Sequence, residues 1–171
     1  VPATSRPDRN DAPRQSWTII IFCYNEYGNL IRVVHSVQEV LQQIAAPGQS
    51  EIVLVDDHST DGTAELIGQL SSEESGAICM RSVLHEQNLG IGRALLSGYR
   101  EARFENICAV PGDGQFDVDE LKRVPPFSDQ EFISFYRKRR PSYTLYRQAL
   151  SHTNRKINRW FLGINLRDVN W

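Results

Sequence analysis

The sequence predicts an α/β fold built on a mostly parallel sheet. Three observations predict it. Short β-branched and aromatic runs alternate with segments of helical hydrophobic period. The first run, residues 17–24 (Trp-Thr-Ile-Ile-Ile-Phe-Cys-Tyr), is almost continuously apolar, as a strand covered on both faces requires. Three of the runs stop on polar residues, and the carboxyl ends of parallel strands are where such sheets take their ligands.

Residues 1–16 hold three prolines and no hydrophobic period, which predicts a flexible leader before a domain over 17–171. After the first strand, Leu30, Val33, Val34, Val37, Val40, Leu41 and Ile44 repeat with helical spacing, and Pro47-Gly48 is expected to end that helix. Residues 52–55 form a second strand, stopped by Asp56-Asp57. Ser59, Thr60 and Asp61 offer helix-capping oxygens before Ala64, Leu66 and Ile67. Residues 78–84 read as a weaker third strand. A third helix follows through Ile91, Ala94, Leu95, Tyr99 and Ala102, then a fourth strand over 107–110. A fifth strand over 132–136 and a helix over 142–161 complete the expected set.

The chain has 171 residues and a net charge of −2, with 40% apolar and 23% charged residues. That suits one globular domain and argues against a disordered chain. The three cysteines are far apart with no CxxC, so no disulfide scaffold or zinc ribbon is indicated; they read as small core residues in a reducing compartment. No apolar run approaches a membrane span of about 20 residues, and no signal peptide is seen. Residues 1–120 carry 8 basic and 18 acidic side chains, a net of −10, whereas residues 121–171 carry 11 and 3, a net of +8. The basic third is expected to meet a phosphate or a membrane surface, or simply to fold back on the acidic part. It has no nucleic-acid module around it.

The strand ends carry the chemistry. They read Tyr24-Asn25-Glu26, Asp56-Asp57-His58-Ser59 and Gly112-Asp113-Gly114-Gln115. Acidic ends repel bare phosphate, so a divalent cation is the natural mediator, and oxygen ligands suit Mg²⁺ or Mn²⁺. Tyr24 can lie against a nucleotide base and Glu26 can accept from ribose or base, although Asn25 and Glu26 are also good helix-start residues. Gly90 and Gly92 lack the third glycine of a dinucleotide fingerprint and read as points of close backbone approach. Arg93 beside them faces a phosphate or solvent. Asp56 reads as structural, bound to backbone or to a basic neighbour. The histidines, 35, 58, 85 and 152, show no metal-ligand spacing, and no Ser-His-Asp set is evident.

Four segments, in order and in register, resemble family 2 glycosyltransferases: residues 19–30, residues 52–63 (IVLVDDHSTDGT), residues 88–102 (NLGIGRALLSGYREA) and residues 112–117 (GDGQFD). The last is similar to the metal element of the polyprenyl-phosphate branch, the dolichol-phosphate mannosyltransferase type. The resemblance implies a GT-A fold, a Rossmann-like three-layer α/β/α arrangement, with the nucleotide-sugar part at about 17–120 and the acceptor part beginning at about 121–171. It implies nucleotide binding by Tyr24, Asn25, Glu26, Asp57 and Arg93, and a metal on Asp113 and Gln115. It also implies an acceptor phosphate held by Arg137, Arg147 and Ser151. Asp113, Arg137 and Arg147 would be the catalytic set. The implied reaction moves a sugar, with inversion, from a GDP- or UDP-sugar to a polyprenyl phosphate at the cytoplasmic face of a membrane.

Two departures matter. Pro111 stands where the family's DxD element has its first Asp, which removes a carboxylate and a backbone donor. Family members also continue beyond RDVN, so the resemblance implies a C-terminally truncated domain. Both keep open a domain that binds nucleotide sugar or lipid phosphate without turnover. A nucleotidyltransferase on the same fold would need a Gly-rich basic loop where Tyr24-Asn25-Glu26 stands.

Overall fold

The computed structural model describes residues 14–72 and 78–124, together with Lys156 and Trp160. The chain divides into two compact units, Val1–Ser128 and Asp129–Trp171. In the first, the order is β1 (Gln15–Cys23), α1 (Tyr27–Ile44), β2 (Ala45–Asp56), α2 (Thr63–Ser72), β3 (Cys79–Leu84), α3 (Ile91–Glu101), β4 (Asn106–Pro111) and a short 3₁₀ helix, Val118–Arg123. The expected strand over 132–136, most of the helix over 142–161, and Arg137, Arg147 and Ser151 lie outside the described residues; Lys156 and Trp160 are helical and exposed.

The four strands form one sheet in the order β3-β2-β1-β4, and each neighbouring pair is parallel. The chain runs outward from β1 to β3 and then returns across the sheet to β4. Right-handed crossovers in opposite directions place α1 and α3 on opposite faces. The residues of β1 alternate accordingly. Ile20 packs with Val53, Val55 and Ala94 of α3, with Phe22 beside them, while Ile19 and Ile21 turn to the other face. Ile19, Ile20 and Ile21 are all fully buried and Phe22 partly so, which is why the run shows no polar alternation. On α1, Leu30, Val33, Val34, Val37, Val40 and Leu41 are buried, as the spacing predicts.

Two boundaries differ from the sequence reading. β1 starts at Gln15, so Gln15 and Ser16 belong to the sheet and not to a leader. α1 ends at Ile44 and the chain passes directly into β2, so Pro47-Gly48 does not end the helix. The residue before a proline is pushed out of helical geometry, and the extended chain begins already at Ala45. Residues 46–49 bulge out between the pairs Gln15–Ala45 and Trp17–Ser50, with Gly48 at φ +69°. The cysteines also divide: Cys23 is buried and Cys108 half-buried, but Cys79 is exposed, because it opens the edge strand β3.

At the amino end of the sheet, Glu51 is buried and holds a polar hub. Its carboxylate accepts from Thr18 Oγ1 (2.9 Å), from the Arg103 N–H (2.8 Å) and from Arg81 Nε and Nη2 (3.1 and 3.0 Å). Arg81 also reaches the Glu101 carboxylate at 2.8 Å and that residue's carbonyl. The hub ties β1, β2 and β3 to the end of α3.

The glycines of α3 separate into two kinds. A Cβ at Gly92 would meet nothing within 4 Å, and Gly90 is needed for its φ of +83°. The close approach falls instead at Gly98, where a Cβ would overlap the Ile20 side chain, with Cγ1 at 3.2 Å. Gly98→Val is therefore expected to cost at least about 2 kcal/mol through overpacking. Gly92→Ala is expected to be neutral or to stabilise by up to about 1 kcal/mol through helix propensity. Urea midpoints of the two variants check this; equal stabilities would place the helix–sheet contact elsewhere.

Candidate active site

In an open parallel sheet the ligand crevice lies beyond the strands' carboxyl ends, where the strand order reverses. Here the reversal falls between β1 and β4. A cleft of about 350 Å³ opens at that point. Its wall includes Tyr24 and Glu26 after β1, Asp57 after β2, Asn88 and Gly90 before α3, and Asp113 after β4.

The turn after β1 is locked to the turn after β2. Asn25 adopts φ +57°, a left-handed conformation that asparagine tolerates. Its N–H donates to Ser59 Oγ (2.8 Å), and its side-chain oxygen accepts from the Thr60 N–H (2.8 Å). Asn25 thus joins two loops and is not among the cleft-lining residues. The Glu26 N–H donates to Thr63 Oγ1 (3.0 Å), and the Glu26 carboxylate accepts from Asn29 (2.9 Å). Tyr24 is half exposed, with its ring available to a ligand.

Asp61 takes the capping role expected of it. It accepts from the Thr63 N–H (3.0 Å), the Thr63 hydroxyl and the Tyr27 N–H (3.1 Å). Burial opposes its ionisation, but the Thr63 hydroxyl and the Tyr27 and Thr63 amides outweigh that and hold its carboxyl below the ordinary range. Ser59 does not cap; its backbone N–H and its hydroxyl both donate to Asp56, so Asp56 is structural through the backbone alternative, with the serine hydroxyl added and no basic partner among the described residues. His58, where the resembling motif has Gly, sits at φ +66°.

Asp57 is buried, and protein donors occupy much of its carboxylate. Oδ1 accepts from the Leu89 N–H (2.9 Å) and meets His85 Nδ1 at 2.7 Å, and Oδ2 accepts from the Gly90 N–H (2.7 Å). Burial raises its pKa, but the His85 hydrogen bond and the Leu89 and Gly90 amides outweigh that, so it lies below 3.8. A depressed folded-state pKa gives stability that is complete above the unfolded value and is lost as the pH falls through the folded one. Acid from about pH 4 downward is therefore expected to lower the urea midpoint more in wild type than in Asp57→Asn. Equal acid sensitivity would remove Asp57 as a source of stability.

His85 is the residue that spacing rules miss. Its other ring nitrogen, Nε2, lies 2.9 Å from Ser97 Oγ on α3. A Ser-His-Asp set thus exists in space, contrary to the sequence reading. Its members are 12 and 28 residues apart, with Asp57 just after β2, His85 just after β3 and Ser97 on α3. Arg93 is exposed on α3 and is not among the lining residues.

After β4, Gly114 turns the chain at φ +68°, and the Gln115 N–H donates to Asp113 Oδ1 at 2.9 Å. The Arg32 guanidinium of α1 packs over Gly114. Asp117 caps the 3₁₀ helix by accepting from the Asp119 N–H. Among the described residues no group of three or more His, Cys, Asp or Glu side chains gathers to cage a metal unaided. Asp113 lines the cleft and Gln115, tied to it through its backbone N–H, is not among the lining residues; a single carboxylate fits Mg²⁺ or Mn²⁺, which take one or two protein oxygens and fill the rest from substrate phosphate and water.

Several known proteins are similar to this chain. An undecaprenyl-phosphate 4-deoxy-4-formamido-L-arabinose transferase of Pectobacterium carotovorum is 28% identical over 153 residues, covering 88% of this chain and 45% of the relative. One from Salmonella choleraesuis is 27% identical over 142 residues, covering 82% and 42%. The chain therefore spans somewhat under half the length of these curated relatives. Among solved structures, the mannosyltransferase PcManGT from Pyrobaculum calidifontis, in complex with GDP-Man and Mn²⁺, superposes with a TM-score of 0.56 at 24% identity, over 71% of this chain and 34% of that one. Staphylococcus aureus TarS (residues 1–349) with UDP-GlcNAc gives 0.50 at 22%, over 63% and 29%. These likenesses show that the parallel sheet and its helices form the GT-A type of α/β fold. The profile of the family Glycosyl transferase family 2 matches residues 18–168, and the chain belongs to that family.

Proposed function

We propose that this chain forms the nucleotide-sugar site of an enzyme that moves a sugar from a UDP- or GDP-sugar to a polyprenyl phosphate such as undecaprenyl phosphate. The observation that carries this reading is the cleft at the β1–β4 reversal, which gathers Tyr24, Glu26, Asp57 and Asp113. The names of the relatives support a lipid-phosphate acceptor, and the GDP-Man and Mn²⁺ of PcManGT agree with the donor class and a divalent ion.

In this reading Tyr24 stacks on the base, and Glu26 and the free lone pair of Asp57 Oδ2 accept from base or ribose. Asn25 acts through the turn it holds, and Arg93 offers positive charge at the cleft's margin. Asp113 and Gln115 hold Mg²⁺ or Mn²⁺, which when bound neutralises the diphosphate leaving group. Arg137, Arg147 and Ser151 hold the acceptor phosphate; Arg147 and Ser151 are four apart in the sequence, a spacing that would put both on one face of a helix. A phosphate acceptor is already ionised near neutral pH. Positioning and charge neutralisation then do most of the catalysis, and no strong general base is required. The acceptor enters opposite the leaving group, which inverts the anomeric centre.

No helix among the described residues is long and apolar enough to cross a membrane. Membrane contact is assigned to the basic segment from Arg137 onward, at roughly 1 kcal/mol per basic residue near an anionic surface. In this reading the site works at the cytoplasmic face of a membrane.

Arg147→Ala is expected to raise the acceptor KM about tenfold or more, the loss of a charge-assisted contact, with donor affinity unchanged. An unchanged acceptor KM would defeat the phosphate assignment. The activity itself is tested by mass spectrometry of undecaprenyl phosphate incubated with UDP- and GDP-sugars and Mn²⁺. A glycosyl adduct of the donor's sugar supports transfer. Donor binding without an adduct supports the second reading, a binding domain without turnover, which Pro111 favours.

A further inference from the structure

We propose that His85 is a positioning residue of the donor site. Through Nδ1 it locks the Asp57 carboxylate onto the loop that forms one wall of the cleft. The proposal rests on the donor-site reading and goes beyond it, to a residue outside all four motifs.

The side chains of His85 and Asp57 are both buried, at 8% and 6% exposure. Oδ1 of Asp57 is shared by His85 Nδ1 (2.7 Å) and the Leu89 N–H (2.9 Å), and Oδ2 takes the Gly90 N–H (2.7 Å). Leu89 and Gly90 lead directly into α3, and Gly90, its N-cap residue, has no side chain with which to cap it. The carboxylate of Asp57 instead holds the two amides that precede the helix, Leu89 and Gly90, with its charge near the favourable end of the helix. Asn88, Gly90 and Ile91 all line the cleft. The position of this wall therefore depends on the rotation of one carboxylate group.

Two backbone donors alone do not prevent that rotation, because either oxygen can serve either amide. His85 removes the ambiguity. Its own N–H is fixed to the Asp56 carbonyl (2.9 Å). Its ring is held at the far side by Ser97 Oγ (2.9 Å). Nδ1 faces an ionised carboxylate, which only accepts, so Nδ1 carries a proton. Nε2 faces a hydroxyl, which donates to the neutral ring and accepts from the charged one, so the arrangement is satisfied in both states. The ring is thus a fixed strut, and it leaves the remaining lone pair of Oδ2 for a ligand. Ser97 is a strut as well and not a nucleophile: it lies within α3 and is not among the cleft-lining residues.

Three variants test this. His85→Asn keeps an N–H donor close to the position of Nδ1. His85→Gln reaches toward Ser97 and gives up the Asp57 contact. His85→Leu has neither. Two readouts are needed: hydrogen exchange of the Leu89 and Gly90 amides, and calorimetric affinity for UDP and for GDP with Mn²⁺. In His85→Leu and His85→Gln, loss of a hydrogen bond to a charged group is expected to speed exchange and weaken nucleotide binding, each about tenfold. His85→Asn should stay within about threefold of wild type in both, since it retains that bond. Equal losses in all three would mean that His85 only fills space, and undiminished binding in His85→Leu would mean that the wall needs no lock; either overturns the proposal. Wild-type protein that binds neither nucleotide would overturn the donor-site reading itself, and the amide exchange would still decide whether His85 holds the loop.

Discussion

Asp113→Ala is expected to abolish the part of donor binding that depends on a divalent ion. Asp113 is the carboxylate that β4 delivers to the cleft wall. One of its oxygens accepts the Gln115 N–H at 2.9 Å, which fixes the carboxylate, and the other has no hydrogen-bond partner among the described residues. With Pro111 in place of a second carboxylate, no neighbouring acid in the motif can take over. Asp117 is engaged as a helix cap. Calorimetry of a nucleotide sugar with and without Mn²⁺ measures the effect. Wild type should gain at least about tenfold in affinity from the ion, and the variant should gain nothing. Binding enhanced by Mn²⁺ to the same degree in both proteins would remove the metal role of Asp113.

Arg81→Met is expected to give the largest loss of stability, about 3–5 kcal/mol, because it strands a buried charge. Glu51 is 1% exposed and its Oε2 depends on the Arg81 guanidinium, at 3.0–3.1 Å. Without Arg81 that oxygen keeps no cationic partner. The Thr18 hydroxyl and the Arg103 amide, both on Oε1, cannot replace it. Replacing both members, as Glu51→Met with Arg81→Met, should recover a large part of the loss, since a buried ion pair is often no more stable than apolar residues of similar size. Urea denaturation of the single and double variants provides the comparison. A loss below about 1 kcal/mol in Arg81→Met would show that the pair behaves as an exposed one.

The elements that position the site were largely legible in the sequence. Unbroken β-branched runs mark strands covered on both faces, and the helical period of Leu30 to Leu41 survives because one stripe of α1 meets the sheet. The acidic ends of β2 and β4 were visible because local motifs place them. What stayed hidden depends on contacts between distant residues. Glu51 and Arg81 are 30 residues apart, and only strand register brings them together. His85 stands at the end of a weak edge strand, where nothing local distinguishes it from a solvated histidine. Asn25 was ambiguous for the opposite reason: the motif that carries Tyr24 and Glu26 also contains the residue whose hydrogen bonds to Ser59 and Thr60 hold the turn together. Gly98 could have been found from its spacing four residues after Ala94, both small and on one face of α3. The helix–strand junction at Ala45 could not, because Pro47-Gly48 is an ordinary stop signal that here falls inside an exposed bulge.

The most direct test of a donor site at the β1–β4 reversal is a thermal-shift series against UDP- and GDP-sugars, with and without Mn²⁺. One nucleotide class should raise the melting temperature in the presence of Mn²⁺. A ligand present at 100 times its Kd stabilises by about 2.7 kcal/mol, equivalent to several degrees in a domain of this size. No shift with any nucleotide sugar, with Mn²⁺ or without it, would contradict the assignment.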